Sequence, residues 1–127
     1  MNFRAFNAPL IWMGVILFLS IIPGEDLPDF SFWKLLSVDK LIHAGFYMVL
    51  SFLIIKGCVR QYRSPRIRTN SSIIAVSVST VYGGFMELLQ ELYLTDRYGD
   101  WMDIISNVIG AVAGVILFRL IFFEYIR

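Results

Sequence analysis

The chain has 127 residues, 57% of them apolar and only 17% charged, with a formal net charge of +1 and a mean hydropathy of +0.69. An ordinary soluble domain is less apolar and more charged, so the composition excludes one and points to a chain whose solvent is largely lipid. One cysteine and one histidine exclude an internal disulfide and a structural zinc site made by those two alone, and Cys58 reads as a helix-end filler.

Four apolar runs follow one another along the chain, each close to the roughly 20 helical residues that cross a hydrocarbon core. The first covers about residues 9–22; Pro9 is tolerated in a first helical turn, and Pro23-Gly24 stops the run. Arg4 precedes it, but no small-x-small cleavage pattern surrounds Ile21-Ile22-Pro23-Gly24, so an uncleaved first helix is expected. Residues 25–39 contain Pro28, Phe30, Phe32, Trp33 and Leu35-Leu36, the pattern of a short interfacial segment at headgroup level. The second run, about residues 40–59, starts after Asp39, which suits an N-cap and the positive end of the helix dipole. The third spans about residues 72–94 and the fourth about 101–123, opened by Asp100 and Asp103. No Gly/Ser-rich linker, charge block or long repeat divides residues 1–127. They read as a single all-α domain, an integral membrane four-helix bundle.

Orientation follows from the basic residues. Lys56, Arg60, Arg63, Arg66 and Arg68 surround the loop between the second and third runs with no acid among them, the signature of a cytoplasmic loop. With four crossings, Arg4, Arg119 and Arg127 fall on that side too, so eight of the eleven Lys and Arg residues are expected inside and both termini cytoplasmic. A nucleic-acid partner would need a larger basic surface on a binding fold, and none is expected.

In this topology nine of the ten acids lie in the outer loops or outer helix halves. Asp39, Lys40, His43 and Tyr47 sit at the outer start of the second helix, with Asp39, His43 and Tyr47 on one face. Glu87, Gln90 and Glu91 repeat that spacing near the outer end of the third helix, and Asp100, Asp103 and Asn107 at the start of the fourth. At about 1.5 Å rise per residue, His43 and Asn107 lie about 6 Å inside their helix starts and Glu87 about 10 Å from its helix end, so the three can meet at one level. A carboxylate facing lipid costs roughly 2.5–3.5 kcal/mol on insertion scales, so these groups are expected to turn inward and pair or line a polar pocket. Arg97 is the natural cation for Glu87, Asp100 or Asp103 and Lys40 a second one; either can hold a phosphate. The bland account of the cluster is a hydrogen-bonded network that fixes helix packing. Ser106-x-x-x-Gly110-x-x-x-Gly114 and Ser79-x-x-x-Gly83 read as close-contact helix faces without chemistry.

Taken together, Pro23-Gly24, Asp39-Lys40-x-x-His43-x-x-x-Tyr47, Glu87-x-x-Gln90, Arg97, Asp100-x-x-Asp103 and Asn107-x-x-Gly110 resemble the VanZ-like family over nearly the whole chain. The resemblance implies a bacterial envelope protein in the inner membrane; the family's namesake is linked to resistance to the glycopeptide teicoplanin.

The function expected from these features is binding or modification of an envelope lipid or lipid-linked glycan at the outer leaflet, with an effect on glycopeptide susceptibility as its furthest extension. In a catalytic version, His43 is the general acid or base, because imidazole exchanges a proton near neutrality, and Asp39 or Glu87 orients it. Lys40, Tyr47, Gln90, Arg97, Asp100, Asp103 and Asn107 are the ligand-binding candidates. No cofactor or resident metal is part of the main expectation, although Asp103, Glu87 and His43 form a mixed nitrogen and oxygen set that suits a divalent ion. The sequence leaves open whether any reaction is catalysed. The alternative is an accessory membrane protein that binds a partner through its helices, as a homo- or hetero-oligomer; a small channel or transporter is disfavoured because four helices leave little room for a pore.

Overall fold

A chain dissolved in lipid must satisfy its backbone polar groups internally, so each apolar run becomes a helix. The computed structural model describes residues 3–21, 38–61, 64–93 and 101–122, and all regular structure among them is helical. A 3-10 turn, Phe3–Phe6, leads into α1, Asn7–Ile21; α2 is Val38–Gln61, α3 is Pro65–Tyr93 and α4 is Trp101–Ile121. α1 together with the 3-10 turn before it, and each of α2, α3 and α4, is long and apolar enough to cross a membrane. The aromatic segment expected at the interface, together with Arg97 and Asp100, lies outside the described residues, and Asp39 is described only by its helical backbone.

α3 starts at Pro65, well before the apolar stretch that hydropathy marks. Proline is at home in the first helical position, where its missing N–H would have no intrahelical partner, and the Arg68 amide donates to the Ser64 carbonyl at 3.2 Å. Thr69 and Ser71 hydroxyls donate back to the Pro65 and Arg68 carbonyls at 2.9 and 2.7 Å. Arg66 and Arg68 therefore ride on the first turns of a helix. Hydropathy alone cannot find that start, because a helix continues past the lipid boundary once its backbone bonds are made.

α2 is the centre of the bundle, packed along α4 on one side and α3 on the other, while α1 leans on the edge with only Pro9 and Ile16 buried. Gly110 and Gly114 set the α2–α4 distance. A Cβ at Gly110 would run into the Ala44 backbone, and one at Gly114 would meet Ser51 Oγ and the Met48 carbonyl. Small residues at a membrane helix interface allow this approach; here Ser51 Oγ also donates to the Ala111 carbonyl at 2.8 Å. Away from the polar residues, Phe52 stacks edge-on against Phe118 with centroids 5.3 Å apart, closing the opposite end.

α1 is held differently, by side chains that donate to backbone carbonyls of a neighbouring helix. Trp12 Nε1 donates to the Phe46 carbonyl at 2.9 Å, the Tyr82 hydroxyl to the Met13 carbonyl and Gln90 Nε2 to the Ser20 carbonyl at 3.2 Å. Beside α1, an open apolar groove on the surface of α3 is lined by Met13, Ser77, Val78, Val81, Tyr82 and Phe85.

Candidate functional site

The close α2–α4 seam brings His43 against α4 one turn from Gly110. His43 Nδ1 lies 3.2 Å from Asn107 Oδ1 and donates to it in the corresponding tautomer. Its other ring nitrogen, Nε2, lies 3.9 Å from Asp103 Oδ2. From α3, Glu87 Oε1 approaches Nδ1 to 3.9 Å. Lys40, one turn before His43, reaches Asp103 Oδ1 at 3.3 Å. Three helices thus contribute five polar side chains to one cluster, at the level where α2 and α4 begin and α3 approaches its end. The spacing along each helix placed them on the right faces; glycine contact between the helices closed the distances.

Burial is graded across the cluster. The side chains of Glu87, Asp103, His43 and Lys40 are 6, 10, 18 and 27% exposed, so the group is dry at Glu87 and reaches the bundle surface at Lys40. Asn107 is 2% exposed, and its Nδ2 has no hydrogen-bond partner. That amide is pressed against α3, where a Cβ on Gly83 would come within 2.8 Å of Nδ2. Tyr47 is buried beneath it, with its ring 3.3 Å from the same Gly83 position and 6.5 Å from the ring of Tyr82. Gly83 is therefore the small residue on α3 that makes room for Asn107.

Lys40, His43, Glu87, Asp103 and Asn107 are brought together, and Tyr47 forms the floor. Gln90, although on a neighbouring turn of α3, spends its amide nitrogen on the Ser20 carbonyl of α1. Arg97, Asp100 and the Asp39 side chain lie outside the described residues. Three residues not anticipated from the sequence have clear structural roles: Trp12, Ser51 and Tyr82 each tie two helices by donating to a backbone carbonyl. The available signal was a polar atom at membrane depth, which favours a partner on a neighbouring helix. Ser79 is buried on α3 with an unpartnered hydroxyl.

The chemistry of this arrangement is specific. His43, Glu87 and Asp103 each offer a ligand atom within 4.8 Å of the others, a nitrogen and oxygen set of the kind that holds a divalent ion. The same imidazole, flanked by carboxylates, is also placed to exchange a proton. The model of the VanZ/LLP1 family matches residues 6–122. The chain belongs to that family. No curated protein and no solved structure matches it. In this VanZ/LLP1 chain the matched region takes in all four membrane-spanning helices and every residue of the cluster.

Proposed function

We propose that this VanZ/LLP1 protein binds the anionic headgroup of an envelope lipid or lipid-linked glycan, and acts on it through His43. The observation that carries the reading is the convergence of Lys40, His43, Glu87 and Asp103, four ionisable groups from three helices, into a cluster that grades from dry at Glu87 to accessible at Lys40. A scaffold role alone accounts for this poorly. The helices are also cross-tied through Trp12, Ser51, Tyr82 and Gln90, so packing by itself does not call for four costly ionisable groups.

The positive-inside pattern supplies the side. Lys56, Arg60, Arg66 and Arg68 belong to the opposite end of the bundle, at the α2–α3 connection, and that end is assigned to the cytoplasm of the bacterial inner membrane. Both termini are then cytoplasmic and the polar cluster belongs to the outer leaflet. A single cysteine at Ser64→Cys in a Cys58→Ala background is expected to be shielded from a membrane-impermeant maleimide in intact cells and labelled after permeabilisation. Labelling in intact cells reverses the assignment.

In this reading Lys40 and, from the connection that follows α3, Arg97 hold the headgroup phosphate, since ammonium and guanidinium groups both bind it through charge-assisted hydrogen bonds. His43 moves the proton, and Glu87 fixes the imidazole. Native mass spectrometry of the gently solubilised protein tests this. The wild type is expected to retain a stoichiometric lipid that Glu87→Gln and Arg97→Ala lose while keeping their helical content. Retention by neither wild type nor variants transfers the assignment to an accessory protein that binds a partner through its helices. An effect on glycopeptide susceptibility belongs to the same proposal: teicoplanin susceptibility of the host strain is then expected to shift with wild-type protein and not with Glu87→Gln.

A further inference from the structure

The basic end of the bundle divides into cations that are tied to the protein and cations that are not. Arg119, in the last turn of α4, donates from its guanidinium to Ser72 Oγ of α3 at 3.1 Å. Lys56 and Arg60, one helical turn apart on α2, are both exposed and, among the described residues, make no hydrogen bond or ion pair. The chain offers them no acid nearby in sequence, because neither Asp nor Glu stands between Lys40 and Met86 or between Ile104 and Phe123.

These two cations border an open apolar groove between α2 and α4, whose other walls are Val59, Phe118 and Phe122. Phe118 is buried, and its ring lies 4.9 Å from that of Phe122 and 5.3 Å from that of Phe52, so the floor of the groove is a packed aromatic cluster. With α2 ending at Gln61, Lys56 stands about 7–8 Å inside the helix end and Arg60 about 6 Å further out. An ammonium facing lipid at that depth is costly unless its stem carries it toward the interface and a counter-charge meets it there. The positive-inside rule accounts for an excess of cations in a loop. It gives no reason for one within the span, beside a groove.

We infer that Lys56 and Arg60 hold the headgroup phosphate of an anionic phospholipid whose acyl chain lies in the groove over Val59, Phe118 and Phe122. Ammonium and guanidinium both bind phosphate through charge-assisted hydrogen bonds, and basic pockets between membrane helices on the cytoplasmic side are where anionic headgroups bind. A lipid matches both halves of the site at once, with phosphate at the level of the cations and hydrocarbon against the rings below. A zwitterionic headgroup brings an ammonium of its own that the two cations repel, so a lipid of net negative charge, such as phosphatidylglycerol, is preferred. The site lies at the opposite end of the bundle from His43, and it stands whether or not the His43 cluster binds a lipid.

The chain contains one cysteine, which makes a local reporter simple to place. The full-length protein carrying Cys58→Ala and Val59→Cys is labelled with bimane and reconstituted in phosphatidylcholine vesicles, in which rising fractions of the lipid are replaced by brominated phosphatidylglycerol or brominated phosphatidylcholine. Quenching at residue 59 is expected to favour phosphatidylglycerol by about twentyfold. Lys56→Gln and Arg60→Gln are each expected to cut that preference about fivefold, the factor equivalent to about 1 kcal/mol for one basic residue at an anionic membrane surface. The same label at Leu120→Cys, on an exposed face of α4 beside the tied Arg119, is expected to show a preference of about twofold or less. Equal quenching by the two lipids at residue 59 overturns the site. So does a preference at residue 120 as large as at residue 59, or one at residue 59 that survives both glutamine substitutions, because a diffuse positive field then accounts for it. The comparison of the two label positions decides the matter without the glutamine variants, so a variant that fails to fold does not blunt the test.

Discussion

The α2–α4 seam and the α1–α3 edge are both apolar helix contacts in one bundle, yet they are built on opposite principles. In the seam, glycines remove the side chains and the backbones touch, as at Gly110 against Ala44. At the edge, an open apolar groove runs beside the contact and the helices are joined by long side chains that reach a carbonyl. The polar cluster sits where the backbone approach is closest. Catalytic or ligand groups need a geometry held to fractions of an ångström, and rigid backbone contact provides it. The edge, spanned by a few tethers, has the looser construction suited to a lipid-facing helix.

Substitutions can break this contrast in order of severity. Gly110→Leu drives a side chain into the Ala44 backbone, where neither partner can rotate away. It is expected to destabilise the bundle by about 3 kcal/mol, measured by SDS titration in mixed micelles. If the cost is close to that of a lipid-facing substitution, the seam is not as closely packed as described. Asn107→Leu removes the orphaned Nδ2 along with the bond to His43, and these two effects on stability oppose each other. Its stability is expected to stay within about 1 kcal/mol of wild type, while lipid retention falls about tenfold, as for loss of a residue that orients a functional imidazole. A stability loss without a retention change would make Asn107 a packing residue.

Trp12→Phe keeps an aromatic ring, though a smaller one, against Phe46 and deletes the Nε1 donor to the Phe46 carbonyl. Its cost is expected to be about 0.6 kcal/mol, the typical value for an interhelical hydrogen bond in a membrane. Smallest of all, Val81→Trp places a large side chain in the open groove beside α1 from an exposed position on α3. Its effect on the same SDS titration is expected to be under about 0.5 kcal/mol. A larger loss would show that the edge is packed as tightly as the seam.

Much of the cluster was legible in the sequence because helical spacing is local. His43, Glu87, Asp103 and Asn107 each fell on an inward face, and their depths matched, for the reason that a fixed rise per residue converts position in the chain into height in the membrane. Gln90 shared the face of Glu87 closely enough to be grouped with it, but spacing says nothing about which neighbouring helix a face meets. Gln90 meets α1 and Glu87 meets α2. The start of α3 at Pro65 was equally hidden, since hydropathy reports where lipid ends and backbone hydrogen bonding decides where a helix ends.

By itself the sequence determined that the chain spans a membrane, that it does so with four helices, and which faces carry the polar groups. These follow from composition, run length and periodicity, all of which act within one helix at a time. Only the tertiary structure decided that α2 takes the centre, that Gly110 and Gly114 bring α4 within backbone contact of it, and that His43 stands between Asp103 and Glu87 with Asn107 at its other side. Those outcomes depend on which helix surfaces fit together, and that fit is a property of pairs of helices that no single stretch of sequence contains.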